Sequence, residues 1–341
     1  MKARKNAICF ATALILAVLG LAMSVCSGQA ENTPKTILLA IVTVPGSAQD
    51  VTASKFKELI EERSGNRFMV EISRAGALGS ETEILEKIRL NVVQMAVITT
   101  EPMEAFVPEA GLVGFPFLFK SNEQADRILD GPLGREILDS LARAGFKGLH
   151  FSENGFRHLT NDVRPVTGLA DVSGLRIRVM ESSLHRDLWT LLGAKPLPLP
   201  WPIDEALEAG LVDGQENPLW VPWVYRFDRF QRYLSLTGHV YSSHVDLAGL
   251  SWFDSLPEAD QNLVVWCMRD AAVFQRAHNR NNEAAYLAGL KARGMQVVED
   301  PDIGSFRAKA SELTELPGYR SARIRNLLDR LLAATQEDPV P

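Results

Sequence analysis

Cysteine is scarce in this chain, with three in 341 residues, and two of them, Cys9 and Cys26, fall within the first 30. Cys267 stands alone in the remainder, which excludes an intrachain disulfide there and leaves stability to the apolar core. Its surroundings, Val264-Val265-Trp266-Cys267-Met268, read as a buried helix segment. Several chemistries lack their signatures as well. No Gly-x-Ser-x-Gly elbow and no His-Glu-x-x-His pair occurs, and no glycine loop is built to cradle a phosphate. Six histidines leave a triad open by count, but nothing nominates a serine to go with one. His239 and His244 stand five apart with no third ligand at suitable spacing, so neither a metal nor another cofactor is expected.

Positive charge is in deficit too. The formal net charge is −6, and the first 30 residues hold three cations and no anion, so the remainder carries −9. An acidic surface argues against nucleic acid and anionic lipid as partners. Any anion-binding site is then a local basic island, which makes a buried arginine more informative here than in a basic protein. What is present begins with an export signature: Lys2, Arg4 and Lys5, an apolar run from Ile8 to Met23, and Gly28-Gln29-Ala30 before Glu31. This predicts a signal peptide over residues 1–30, cleaved near Ala30. No stop-transfer pattern follows, and Val25 is bulky where a lipoprotein signal has a small residue before its cysteine.

With 46% hydrophobic residues the chain can bury a sizeable core, and 341 residues suit two lobes better than one small domain. The pattern after the signal is β-loop-α-β: a strand over Thr36 to Val44, a helix over Asp50 to Arg63 and a strand over Phe68 to Ile72. Ser80, with Glu83 three residues on, predicts a capping box for a helix over Glu81 to Leu90, and Gln94 to Thr99 is the next strand. A helix over Ser121 to Arg143 and a strand over Gly148 to Phe151 close this part. The pattern restarts at Gly155, with strands at Leu175 to Val179, Lys195 to Leu199 and Tyr233 to Leu236, and helices at Ser182 to Leu192 and Ile203 to Ala209. Tyr241 to Ser251 is a further strand. Pro257 to Arg293 has no internal proline and no glycine before Gly289, which predicts a helix of roughly 50 Å, long enough to span both lobes. Gln336 to Pro341 is expected to fray.

Three blocks carry the functional signal: Asn154-Gly155-Phe156-Arg157, Gly174-Leu175-Arg176-Ile177-Arg178-Val179 and Asp213-Gly214-Gln215-Glu216-Asn217-Pro218. Among their residues Arg157, Arg178 and Asn217 supply two guanidinium forks and an amide, with no nucleophile alongside, a combination suited to holding an organic anion rather than transforming it. Arg176 and Arg178 share one face of a strand, and a buried arginine needs an anionic partner, either a structural carboxylate or a ligand. Arg157 sits where a strand passes to the next lobe, a setting read as a loop and open to either a binding or a plain surface role. Asp213 to Pro218 reads as a polar turn. Trp201, Trp220 and Trp223 can wall a pocket or fill a core.

In order and spacing these blocks resemble the periplasmic solute-binding proteins of TRAP (tripartite ATP-independent periplasmic) transporters. The likeness extends through Ala75-Gly76-Ala77-Leu78-Gly79-Ser80-Glu81, Phe115-Pro116-Phe117-Leu118-Phe119 and Tyr233 to His239. It implies an α/β protein of two lobes with a ligand cleft between them and a long bridging helix. On that basis residues 31–154 with 243–282 form one lobe, 155–242 with 283–335 the other, and 336–341 a tail. It further implies a monomeric periplasmic receptor, not an enzyme, that delivers an organic carboxylate to a membrane permease. A sugar acid is favoured, with an aromatic or C4-dicarboxylic acid as alternative. Arg178 resembles the family's carboxylate clamp, Arg157 its helper and Asn217 its amide partner. Trp201 falls at the aromatic wall, Asn154 belongs to the first block, and Glu81 and Thr99 match ligand-facing positions of the first lobe. Pro202 to Leu207 departs from the family pattern and lacks its tyrosine. The rivals are a periplasmic enzyme with Glu81 or His158 as base, and a sensory binding protein.

Overall fold

The computed structural model describes residues 34–336. The predicted signal peptide, and all of the predicted tail except Gln336, lie outside the described residues. Among the described residues nine strands form one sheet. At one end β1 (Lys35–Ala40), β2 (Phe68–Ser73) and β3 (Met95–Thr99) run parallel. Between the two ends lie β4 (Phe146–Asn161) and β8 (Tyr233–Gly249), antiparallel to each other. At the far end β5 (Arg176–Val179), β6 (Lys195–Pro198) and β7 (Gly214–Asn217) are again parallel, and β9 (Gln296–Val298) flanks β8. The order is β2-β1-β3-β8-β4-β7-β5-β6. Each parallel set is a βαβ half with its crossover helices, and the two halves hang on one antiparallel ribbon. This is the expected two-lobed α/β architecture.

The ribbon corrects two expectations. Arg157 is not in a crossover loop: β4 runs unbroken through it, and the two strands expected at 233–236 and 241–251 are one strand, β8. The apparent breaks at Asn154-Gly155 and Gly238 are absorbed as register shifts, at Gly148/His150, Glu153/Gly155 and Arg157/Leu159. A bulge inserts a residue and kinks the strand without ending its pairing. Gly155 has φ +120°, and a Cβ there would stand 3.3 Å from the Pro218 side chain, so the kink between the halves requires glycine.

The helices follow local chemistry. In α1 (Ala48–Arg63) Ser47 caps the Asp50 amide, and in α2 (Glu81–Arg89) Ser80 and Glu83 form the predicted box, with bonds of 3.3 and 2.8 Å. The single helix expected over 121–143 is instead α3 (Asn122–Leu129) and α4 (Pro132–Ser140), split where Gly131 leads into Pro132. Proline suits the first turn of a helix and breaks its interior. Next come α5 (Ser183–Leu191), α6 (Asp204–Glu208) and α7 (Trp220–Val224), then α8 (Glu258–Ala292), α9 (Ile303–Ala310) and α10 (Ala322–Ala334). At 35 residues α8 is roughly 52 Å long, and it packs on α1 and β4 and also on α7. Gly289 permits the last contact, because a Cβ there would lie 2.3 Å from the Trp223 ring.

Apolar side chains cover both faces of the sheet. One cluster gathers Ile37, Leu39, Phe56, Phe68 and Val264 around the fully buried Cys267, and a larger one includes Phe115, Phe146, Ile177 and Trp189. A smaller cluster joins Ala48 of α1 to Ile203, Leu207, Trp220, Val221 and Phe227 of the other half, so the two halves meet through apolar contact beside the cleft. No helix of the described residues is long and apolar enough to cross a membrane.

Candidate functional site

The sheet topology dictates where a site forms. In open α/β sheets ligands bind outside the carboxyl ends of parallel strands, and here both halves turn those ends toward one cleft. Thr43 follows β1, Thr99 ends β3, Met180 follows β5, Trp201 follows β6 and Asn217 ends β7. All five line one cavity with about 540 Å³ of empty space, part of it open to solvent. Gln49, Glu81, Asn154, Arg178, Glu181, Trp220 and His244 complete its polar and aromatic wall.

Arg178 in β5 is buried, at 3% exposure, while Arg176, on the same face at the strand's start, is exposed and pairs with Asp213 at 2.5 Å. Arg178 donates from Nε (2.9 Å) and Nη2 (2.5 Å) to the Leu199 carbonyl, and its guanidinium lies 5.8 Å from the Trp201 ring centre. Among the described residues no carboxylate lies within 4.0 Å of it. Burial, and then the like charge of Arg157, pull its pKa down to about 10. The result is a positioned guanidinium whose charge is unmatched by a direct partner and whose free edge fronts a cavity.

Opposite stands Glu81, at the first turn of α2. Its Oε1 accepts three bonds, from the Thr99 amide (2.8 Å), Thr99 Oγ1 (2.7 Å) and Gln49 Nε2 (3.0 Å). Gln49 is itself oriented, since its Oε1 accepts from the Val42 amide and Thr43 Oγ1 at 3.2 and 3.0 Å. Burial raises the Glu81 carboxyl above the usual range, and the three donated bonds hold it back. On the ribbon Asn154 donates to Ser242 Oγ (3.2 Å) and accepts the Trp220 indole N–H through its carbonyl (3.0 Å) and side chain (3.2 Å). Asn217 donates to Gln215 Oε1 at 2.5 Å. Trp201 packs edge-on against Tyr225 at 4.7 Å, and that tyrosine's hydroxyl accepts the Val44 amide across the cleft at 3.1 Å. At the cleft edge the Glu104 carboxylate accepts from Ser182 Oγ (3.2 Å) and from the Ser183 amide at the start of α5.

Arg157 is placed elsewhere. It is fully buried behind the cavity wall, donating to Glu216 Oε2 at 2.5 Å and Oε1 at 2.9 Å. Glu216 also meets His185 Nδ1 at 3.2 Å and His239 Nε2 at 3.1 Å. Burial alone pushes that carboxyl up, but Arg157 and His185 outweigh it and hold it well below the usual range. The segment expected as a polar turn is thus strand β7, buried throughout, because its polar side chains find partners inside: Gln215 reaches Thr160, Glu216 reaches Arg157 and Asn217 reaches Gln215.

Of the residues singled out in the sequence, Arg178, Asn217, Trp201, Glu81, Thr99 and Asn154 therefore come together, and Arg157 does not join them. His158 and Trp223 are also absent from the lining; Trp223 faces α8, with Arg293 stacked 3.4 Å over its ring. The odd spacing of His239 and His244 on a strand separates them, one beside Glu216 and the other at the cavity. Among the described residues no group of three His, Cys, Asp or Glu side chains is arranged to hold a metal ion. Thr43, Gln49, Glu181 and His244 were missed as lining residues. A glutamine in the first turn of a helix after a Pro-Gly turn carries no signal of its own, but its place after the first strand of a parallel half does. None of the side chains of 202–207, the atypical segment, lines the cavity.

Comparison with known proteins fits this geometry. Residues 39–316 match the model of the family described as bacterial extracellular solute-binding protein, family 7. A solute-binding protein of Verminephrobacter eiseniae is 38% identical over 274 residues, which cover 80% of this chain and 82% of the relative. Among solved structures, a TRAP periplasmic solute-binding protein of Polaromonas sp. JS666, bound to D-erythronate, superposes with a TM-score of 0.84 at 35% identity, covering 88% of this chain and 98% of that one. The sugar acid binding protein DctPAm of Advenella mimigardefordensis, in complex with galactonate, gives a TM-score of 0.85 at 30% identity, with coverages of 89% and 98%.

Proposed function

The chain belongs to family 7 of the bacterial extracellular solute-binding proteins, the receptors of TRAP transporters, and on that premise we propose that it captures a sugar acid through Arg178. One observation carries the reading: a buried guanidinium at a cavity, without a carboxylate partner among the described residues. The ligand's carboxylate takes the place of that partner, bidentately. Glu81, Thr99, Asn154 and Asn217 meet hydroxyls, and Trp201 with Trp220 supplies flat apolar surface. The known ligands of two similar structures, D-erythronate and galactonate, support this assignment of class. Arg157 acts from behind, holding β4 to β7 rather than touching the ligand.

The lobes of this reading are residues 31–154 with 243–282 and residues 155–242 with 283–335; the kink at Gly155 supports the first boundary. The protein works as an exported monomer, freed of its leader near Ala30, and hands its ligand to a membrane permease. Closure excludes water, and the lower local dielectric strengthens the ion pair. Release follows when the permease favours the open state, since a ligand shifts the equilibrium only by its differential affinity. The receptor does no chemistry on its ligand: among the described residues no serine or cysteine stands beside Glu81 on the cavity wall, and His158 lies away from the cavity.

A thermal-shift screen of aldonates, uronates, C4-dicarboxylates and aromatic acids tests the class, because tight binding raises the melting temperature by mass action. Aldonates are expected to give the largest shifts, and a response confined to aromatic or C4 acids overturns the reading. Recovery of an altered acid after long incubation would favour an enzyme.

A further inference from the structure

The cavity's charges do not balance symmetrically. Among the described residues Arg178 is the sole Lys or Arg on its lining, whereas Glu81 and Glu181 both contribute carboxylates. Arg178 can neutralise one negative charge on a ligand. A second one has no cation waiting for it.

Glu81 sharpens this further. All three of its bonds go to Oε1, and among the described residues no donor reaches Oε2, although Glu81 lines the cavity. The two groups that bond Glu81 are already committed. Gln49 is fixed by Val42 and Thr43 with its N–H toward Glu81, and the Thr99 hydroxyl is spent on the same oxygen. As the free oxygen of a carboxylate, Oε2 accepts a hydrogen bond, and the ligand has to bring the donor. A hydroxyl satisfies it, whereas a ligand carboxylate set against it places two anions together in a desolvated space.

Resting on the sugar-acid reading, we propose that Glu81 is a specificity determinant that makes this site select polyhydroxy monocarboxylates and reject the dicarboxylates of the same carbon skeleton. Arg178 recognises what aldonates and aldarates share; Glu81 reads the end at which they differ. Uncompensated like charges at an interface are strongly unfavourable, so the expected preference for the aldonate is at least about tenfold in Kd.

The test is calorimetric titration of the mature protein with galactonate and with galactarate, followed by the same pair on Glu81→Gln. In the variant the amide oxygen can keep the three donors of Oε1, while the amide nitrogen replaces an acceptor with a donor at the cavity. Galactonate is expected to bind the native protein at least about tenfold more tightly, and the ratio is expected to narrow by a further tenfold or so in the variant as galactarate improves. Equal binding of both acids to the native protein overturns the inference even if the variant does not fold. So does an unchanged ratio in a folded Glu81→Gln protein. Tight binding of the 2-amino analogue in preference to the aldonate also overturns it, because the donor would then be an ammonium. If neither acid binds the native protein while an unrelated acid does, the sugar-acid reading itself fails and takes this inference with it.

Discussion

Arg157 and Arg178 are two buried arginines of one sheet, on β4 and β5, and they differ in what surrounds their charge. Arg157 is locked by both oxygens of Glu216, whereas Arg178 rests on a single backbone carbonyl. A buried ion that has its counterion is part of the scaffold; one without it is poised for a partner that arrives later. Burial alone does not separate the two cases, since exposure is 0% for one and 3% for the other. The counterion does.

Breaking the paired arginine gives the largest expected effect. Glu216→Gln leaves Arg157 buried and unmatched and is expected to cost about 3–5 kcal/mol in chemical denaturation. Replacing both partners with apolar residues, Arg157→Met with Glu216→Leu, is expected to cost far less, and an equal loss from both variants would erase the distinction between the two arginines.

Acid sharpens the same contrast. His158 and His244 are buried neutral, each pushed from 6.5 down to about 3 by burial first, then by His239 for His158 and Arg157 for His244. At these two sites the unfolded chain therefore takes up protons before the folded one does, and their contribution to stability falls as pH drops below 6.5, whereas Asp246, raised to about 8 by burial, contributes in the opposite sense. At about pH 5.5 the loss is roughly 1.4 kcal/mol for each of these histidines. Glu216, held low when folded, adds a contribution that is present above 4.5 and lost as pH falls through its lower folded value. Glu216→Gln is expected to remove this last component and leave the histidine slope, in melts recorded from neutral to acidic pH.

Breaking the unpaired arginine should leave stability alone and abolish function. Arg178→Met is expected to weaken sugar-acid binding roughly 100-fold, at about 1.5–3 kcal/mol per charge-assisted bond, with the unliganded melt unchanged or raised. A variant that binds within a few fold of the native protein assigns the carboxylate to another group. The smallest effect belongs to Glu104, which accepts from Ser182 and Ser183 at the cleft edge. Glu104→Ala is expected to speed ligand release by roughly two- to fivefold, from about 0.3–1 kcal/mol for an anion at a helix start. Stopped-flow dissociation measures it, and an unchanged rate removes Glu104 from closure.

What was legible in the sequence was local. Ser80 and Glu83 lie three residues apart and announced a capped helix, and an uninterrupted pattern after Pro257 gave the bounds of α8 to within one residue at each end. Alternation placed Arg176 and Arg178 on one face, but burial reaches only the second, so the strand pattern did not tell them apart. What escaped was long-range pairing. Arg157 and Glu216 are 59 residues apart, and without their contact Asp213 to Pro218 has the composition of an exposed turn. Bulges hid the ribbon in the same way: glycine and asparagine inside a strand look like its end until the neighbouring strand supplies the bonds that carry it through. The site was legible where a residue sits in one of the quoted blocks, as Arg178, Asn217, Asn154 and Glu81 do, and missed at Thr43, Gln49, Glu181 and His244, whose places in the lining depend on how the two halves fold together.

The continuous ribbon has a mechanical consequence. A receptor whose lobes are tied by slack tethers can drift through many relative orientations, but two antiparallel strands bonded side by side resist shear and stretch and yield mainly by bending out of plane. With α8 packed against elements of both halves as a third strut, the joint behaves as a leaf hinge with its crease at Gly155. On the proposed reading, opening and shutting would trace one arc, and the face shown to a membrane partner would report whether the cleft is filled.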